Sequence, residues 1–215
     1  SKDCGVHYIQ FIRELSVKCR QNGIVLSVDN YVPKGYNQQY NRKEQGVMAD
    51  YVIIMGYDEH NGSSLEAGSV SSYEFVKEGI EETIKEVPAE KVISGIPFFT
   101  RLWSETPKTQ EELNQEAGTE AADYPMKVTS EALGMSTARD KISQAGAETT
   151  LDETTGNNYA TWEADGVTYE IWLEDATSIE PKLQLMKENK LAGTAAWALG
   201  QESSDIWNLI LKYVN

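Results

Sequence analysis

Tyr51-Val52-Ile53-Ile54-Met55 is a near-continuous apolar run, and it restricts the fold more than any other segment. A run without alternation suits a parallel strand covered on both faces. Parallel strands need long crossover connections, usually helices, and the sequence supplies them on each side. Upstream, Tyr8, Phe11, Ile12, Leu15 and Cys19 recur at helical spacing, and Asn22-Gly23 closes that helix. Ile24-Val25-Leu26-Ser27-Val28 then reads as a buried strand whose polar end is Asp29-Asn30-Tyr31. A polar helix is expected around 40–49. Downstream, a helix over 72–86 carries Val76, Ile80, Ile84 and Val87 on one stripe. A third strand is expected over 91–99, running out at Thr100-Arg101-Leu102-Trp103, with Pro97 marking its end. A helix over 178–189, a strand within 191–200 and a last helix with Ile206, Trp207, Leu209, Ile210 and Tyr213 complete the pattern.

Between the third and fourth units the character changes. Residues 106–126 are polar and loop-like, and 130–144 look helical. Segments 148–152, 158–163 and 167–173 alternate like strands of a small antiparallel sheet, with turns at Thr155-Gly156 and Asp165-Gly166. This stretch reads as an α+β insertion. The remaining strand–helix alternation implies a parallel α/β architecture. Without the insertion roughly 150 residues remain, against about 250 for a complete eight-unit barrel. Four units preceded by a lone helix fit half a closed barrel. They fit equally a small open doubly wound sheet, complete in itself.

Charge narrows the function. Lys plus Arg number 19 and Asp plus Glu 34, so the net charge is −15. Such a chain repels phosphate backbones and anionic lipid, which argues against nucleic-acid and membrane-surface partners. No apolar run approaches the roughly 18 residues of a membrane-spanning helix. Cys4 and Cys19 lie about 22 Å apart along a helix, too far for a disulfide; both read as free thiols, with Cys19 in the core. Two histidines, His7 and His60, and the lack of CxxC, HExxH or EF-hand spacing point to no metal and no cofactor. The opening Ser1-Lys2-Asp3, with no basic-then-apolar leader, suggests a piece of something longer.

Four short motifs resemble one family. Met55-Gly56-Tyr57-Asp58 at a strand end resembles the M-x-Y-D of glycoside hydrolase family 18, the chitinase-like enzymes. Gly95-Ile96-Pro97-Phe98-Phe99-Thr100-Arg101 resembles that family's seventh-strand G-x-P-x-Y-G-R. Trp172-Leu173-Glu174-Asp175, followed by Ser178 and Lys182, resembles its W-x-E-D…S-x-x-x-K entry to the seventh helix. Trp197 resembles the eighth-strand tryptophan. Each motif is weak alone; four in order, around an insertion in the right place, are specific. The wording is most similar to bacterial spore-cortex and cell-wall N-acetylglucosaminidases.

The resemblance implies the C-terminal half of a (β/α)8 barrel, about strands five to eight. Residues 1–103 would run from helix four to strand seven, 104–173 would be the insertion, and 174–215 would run from helix seven to helix eight. It also implies retaining hydrolysis assisted by the substrate, in which the sugar's 2-acetamido carbonyl attacks the anomeric carbon. Tyr57 would hold the acetamido oxygen, with Asp58 on a hydroxyl or the acetamido group. Trp197 would form the apolar floor, Met55 would line the pocket and Arg101 would reach a hydroxyl or carboxylate. Phe99 and Thr100 depart from the family's tyrosine and glycine, which puts sugar contacts from that strand in doubt.

No segment fits the family's D-x-x-D-x-D-x-E, which carries the acid at the end of strand four. Neither Glu59 nor Glu174 stands in for it. The parent is therefore expected to be a glycosidase acting on N-acetylglucosamine-containing glycans, in peptidoglycan or chitin-like chains, and this chain alone is expected to be inactive. A non-catalytic carbohydrate-binding module of the same family is the alternative. The resemblance suggests an extracellular, cell-wall or spore-surface location. Asp29, Asn30 and Tyr31 are rim candidates at a strand's end, and Trp103 is a further candidate sugar platform. Trp162 and Trp172 are expected to pack the insertion, and His60 to be solvated or to anchor a loop. Half a barrel would leave two unpaired strand edges and an uncovered inner face, so self-association is expected.

Overall fold

A computed structural model describes residues 5–214; Cys4 lies outside the described residues. Helix α1 (Gly5–Gln21) buries Ile9, Ile12, Ser16 and Cys19. The expected stripe is therefore rotated: Phe11 is exposed, because the apolar belt of α1 is wider than the side that has a packing partner. Strand β1 is Ser27–Tyr31, three residues later than the apolar run 24–28, and Ile24 and Val25 are exposed. The shift follows from pairing. Asp50 and Tyr51 both donate to the Leu26 carbonyl, and the register then matches Ser27 with Tyr51 and Tyr31 with Met55.

Strand β1 leads through a 3-10 helix (Gly35–Tyr40) to α2 (Arg42–Met48) and β2 (Tyr51–Met55). Helix α3 (Tyr73–Ile84) follows, capped by Ser72, whose Oγ accepts from the Phe75 amide. Strand β3 (Val92–Pro97) ends at Pro97, two residues before the expected run 91–99 does. These strands and the later β9 form a parallel sheet of order β1-β2-β3-β9.

Side chains alternate across a strand, so the register sorts this sheet into two faces. Val28, Val52, Ile54, Val92 and Ile96 are buried, packed with Ile12 of α1, Val87 and the helices that follow. Asn30 shares that face, and its amide exchanges hydrogen bonds of 2.7 and 3.0 Å with Gln45. On the other face β1 is exposed at Ser27, Asp29 and Tyr31, and β2 is exposed or half-buried at Tyr51, Ile53 and Met55. The expectation that Tyr51–Met55 is covered on both sides is thus corrected. Helices pack one face only, and no described residue roofs the other. A doubly wound sheet, with helices on both faces, is ruled out for the described residues, which also form no closed barrel.

Only Phe98 separates β3 from β4 (Phe99–Pro107), an interior strand of an antiparallel sheet. Helix α4 (Gln110–Gln115) sits in the stretch expected as loop, started by a reciprocal Thr109–Glu112 cap. Strand β5 (Met126–Gly134) and helix α5 (Met135–Ala145) come next. Residues 130–134 are strand, against the expected helix, because all nine residues of β5 pair with β4; a long partner outweighs local propensity.

Strands β6 (Thr150–Asp152), β7 (Asn157–Ala164) and β8 (Val167–Leu173) complete the order β5-β4-β8-β7-β6. The β7–β8 turn is Asp165-Gly166, both at positive φ, as such hairpins require. One face of this sheet packs α5 through Leu102, Leu133, Ala138, Ile142, Ala160 and Ile171. Helix α6 (Ala176–Glu188), strand β9 (Gly193–Trp197) and helix α7 (Ile206–Val214) return the chain to the parallel sheet.

Candidate functional site

The uncovered face of the parallel sheet carries a row in register: Tyr31, Met55, Gly95 and Ala195. Small residues at the last two positions leave a hollow above the sheet. Its volume is about 140 Å³, and its walls include Asp29, Ile53, Tyr57, Gly95, Ala195 and Trp197. Tyr57 and Trp197, far apart in sequence, therefore meet in one concavity. Trp197 is 59 % exposed, leaving an indole surface available. Tyr57 also borders an adjoining groove of about 270 Å³ with Tyr31, Lys34, Tyr36, Asp58 and Phe75.

The strand-end turn aims these groups. A Cβ on Gly56 would lie 2.8 Å from the Gly95 carbonyl, so only glycine lets the chain pass here, and its own amide donates to that carbonyl at 3.0 Å. Asp58 then takes φ 62°, a left-handed conformation uncommon outside glycine and enriched at sites that must hold a side chain in one place. The Phe99 ring packs edge-on against Tyr57 with centroids 6.0 Å apart.

Electrostatics follow from this enclosure. Burial pushes the Tyr57 phenol up to about 12, helped by the negative charges of Asp29 and Asp58. The Asp58 carboxyl is raised by burial, and Arg101 partly offsets the rise. At neutral pH the phenol is thus a hydrogen-bond donor with an apolar body, set beside a carboxylate and an indole.

The other sequence candidates divide. Met55 lies on the open face beside Gly95 but does not wall the hollow. Arg101 reaches the site through its charge on Asp58, while its Nη1 donates to Ser130 Oγ at 2.9 Å. Trp103 is no sugar platform: it is 1 % exposed, and its Nε1 donates to the Gly68 carbonyl at 2.9 Å. The reason is that the loop before α3 lies across this face of the antiparallel sheet. Thr100 is buried and its hydroxyl donates to the Trp172 carbonyl. Trp162 stacks on Tyr169 and Trp172 leans on Tyr159, as expected of insertion packing. His60 anchors the loop through Nδ1 and the Ser69 carbonyl, 2.9 Å apart.

Both spare glutamates have structural partners. Glu59 accepts from the Ser72 amide and hydroxyl at 2.7 and 3.0 Å. Glu174 is buried against Lys182 at 2.9 Å. Asp29, a rim candidate by sequence, is a wall of the hollow, and Tyr36 and Phe75 line the groove. No motif marks these residues; the signal was the strand register, which apolar runs alone misplaced by three residues. Among the described residues no group of three or more metal-ligating side chains occurs.

Comparison with known proteins identifies the family. The profile of the Glycosyl hydrolases family 18 matches residues 3–202. The chain is 28% identical over 174 residues to the uncharacterized glycosylase YvbX of Bacillus subtilis, covering 80% of this chain and 45% of that protein. It is 27% identical over 217 residues to the cortical fragment-lytic enzyme of the same organism, covering 97% and 46%. The chain thus spans about half the length of the curated relatives it matches. Among solved structures, the family 18 chitinase of Cycas revoluta in complex with (GlcNAc)3 superposes with a TM-score of 0.70 at 26% identity, covering 96% of this chain and 61% of that one. The α/β fold is that of family 18 chitinase domains, and the chain belongs to glycosyl hydrolases family 18.

Proposed function

We propose that this chain forms one wall of the substrate cleft of a retaining, substrate-assisted hydrolase of N-acetylglucosamine-containing glycans, peptidoglycan or chitin-like. The observation that carries the proposal is the hollow shared by Tyr57 and Trp197. An indole face suits the C–H face of a pyranose, and a protonated phenol donates to an acetamido oxygen. That hydrogen bond holds the carbonyl while it attacks the anomeric carbon. Asp58 takes a sugar hydroxyl or the acetamido group, Arg101 supports Asp58, and Met55 flanks the floor. The relative that is a cortical fragment-lytic enzyme favours a cell-wall glycan and an extracellular, spore-surface setting.

The acid that protonates the leaving oxygen is not among these 215 residues, because no D-x-x-D-x-D-x-E occurs and Glu59 and Glu174 are engaged. Sequential strand order with helices on one face supports an arc of a barrel, strands five to eight. On this basis the isolated chain binds tri-N-acetylchitotriose and does not hydrolyse an aryl N-acetylglucosaminide. The assay is tryptophan fluorescence titration beside a chromogenic turnover assay. Trp197→Ala should weaken binding about fivefold, since stacking on an aromatic ring contributes on the order of 1 kcal/mol. Robust hydrolysis by the chain alone would overturn the placement of the acid. The alternative is a carbohydrate-binding module without catalysis, favoured by the same combination of an aromatic floor and a missing acid. Turnover by this chain joined to a family 18 segment that carries D-x-x-D-x-D-x-E separates the two.

A further inference from the structure

A buried polar chain runs from helix α6 to the turn that carries Tyr57, and nothing in the sugar-binding proposal uses it. It begins at Lys182, whose ammonium lies 3.2 and 2.9 Å from the two carboxylate oxygens of Glu174. Ser178 Oγ donates to Glu174 Oε2 at 2.8 Å. Asn157 at the start of β7 donates its Nδ2 to Glu174 Oε1 at 3.0 Å and to the Leu173 carbonyl at 2.9 Å. Its Oδ1 accepts from Ser69 Oγ at 2.9 Å, across 88 residues of sequence. Ser69 Oγ accepts from the Ser71 amide at 3.1 Å. Ser71 Oγ then donates to the Gly56 carbonyl at 2.6 Å, the peptide that leads into Tyr57. The same short segment also receives the Glu59 amide on the Val70 carbonyl at 3.1 Å.

The direction of every bond is fixed by groups that can act in only one way. The Leu173 carbonyl can only accept, so the amide of Asn157 must present nitrogen to Leu173 and Glu174 and oxygen to Ser69. Ser69 must then spend its proton on Asn157, and its lone pair takes the Ser71 amide. Apolar residues would fill this volume at similar or lower cost, because a buried ion pair is weak evidence for stability and its better-supported use is to specify one arrangement. Fully satisfied buried networks rigidify what they touch, and this one ends on the backbone of the candidate site.

We propose that Asn157 is a positioning residue: through Ser69 and Ser71 it carries the fixed polarity of the Glu174–Lys182 pair to the Gly56 peptide, and so sets Tyr57 and Asp58 against the Trp197 hollow. The functional part of this inference rests on the proposed sugar-binding role of that hollow.

The test uses the whole 215-residue chain with ring-13C tyrosine. Ser69→Ala and Asn157→Ala are compared with Ile142→Ala, which opens the apolar core under the antiparallel sheet and removes no hydrogen bond of the network. In the two network variants the Tyr57 ring resonance should shift or split. Amide hydrogen exchange at 56–60 should rise about tenfold, the effect of losing one net hydrogen bond, and the dissociation constant for tri-N-acetylchitotriose should rise by a similar factor. Ile142→Ala should lower the melting temperature and leave all three readouts at wild-type values. A folded Ser69→Ala with an unmoved Tyr57 resonance and wild-type exchange at 56–60 would overturn the proposal. So would an equal change in Ile142→Ala. If Asn157→Ala fails to fold, Ser69→Ala, which deletes one hydroxyl, decides the matter. If the wild-type chain does not bind the trisaccharide, the sugar-binding proposal fails, and the resonance and exchange still judge the network.

Discussion

Tyr57 is the residue where environment and chemistry meet most directly. Its phenol titrates at about 12 rather than 10.0 because burial and the nearby carboxylates disfavour the phenolate. The folded state therefore holds a proton between pH 10 and 12 that the unfolded state has lost. Stability rises with pH only where the unfolded chain binds more protons, so the Tyr57 contribution is complete below pH 10 and is lost toward pH 12. Tyr159, also raised to about 12, acts in the same sense. Urea unfolding of wild type and Tyr57→Phe across this range should show a shallower alkaline decline in the variant. Trisaccharide binding by wild type should persist at pH 10, with Tyr57→Phe about tenfold weaker up to that pH, as expected for one lost hydrogen bond. At this scale the site was partly legible. Met55-Gly56-Tyr57-Asp58 announced itself as a string, and Trp197 by its place at the end of a strand. Asp29 did not, because its role as a wall depends on which way it points. Trp103 misled for the converse reason: an indole in a strand looks the same whether it faces a cleft or, as here, a covering loop.

Elements follow their partners more than their own composition. Strands β2 and β8 were readable to the residue because an apolar or alternating run coincided with the paired segment. Strand β1 was not, since its polar residues Asp29, Asn30 and Tyr31 pair while the apolar Ile24 and Val25 stay outside. The 130–134 segment has helix-forming residues but extends along β4. The antiparallel sheet and α5 share a compact apolar interface in which Ile171 is fully buried. Ile171→Ala should destabilise the chain by about 2–5 kcal/mol, the range for removing a large buried aliphatic side chain. Equilibrium urea unfolding followed by circular dichroism measures it.

Across the whole molecule the asymmetry of the parallel sheet dominates. One face is packed by helices and the other presents Tyr31, Tyr51 and Trp197 to solvent, with β1 and β9 as outer strands of the sheet. Parallel sheets are ordinarily covered on both faces, and open edges template pairing. We therefore expect concentration-dependent self-association, seen as a mass above 24.0 kDa in light scattering coupled to size exclusion. A clean monomer that binds no hydrophobic dye would count against it. Net charge of −15 opposes association at low ionic strength, so added salt should promote it.

The amino-acid sequence by itself determined the alternation of strand and helix in the parallel sheet, the hairpin β7–β8 and the motifs that mark the family. These are local properties, written in periodicity and short strings. Tertiary structure alone decided which face of each strand meets the helices, that the second face has no cover among the described residues, and that Tyr57 and Trp197 border one hollow. A shift of register by a single residue reverses every side chain of a strand, and register is set by partners distant in the chain.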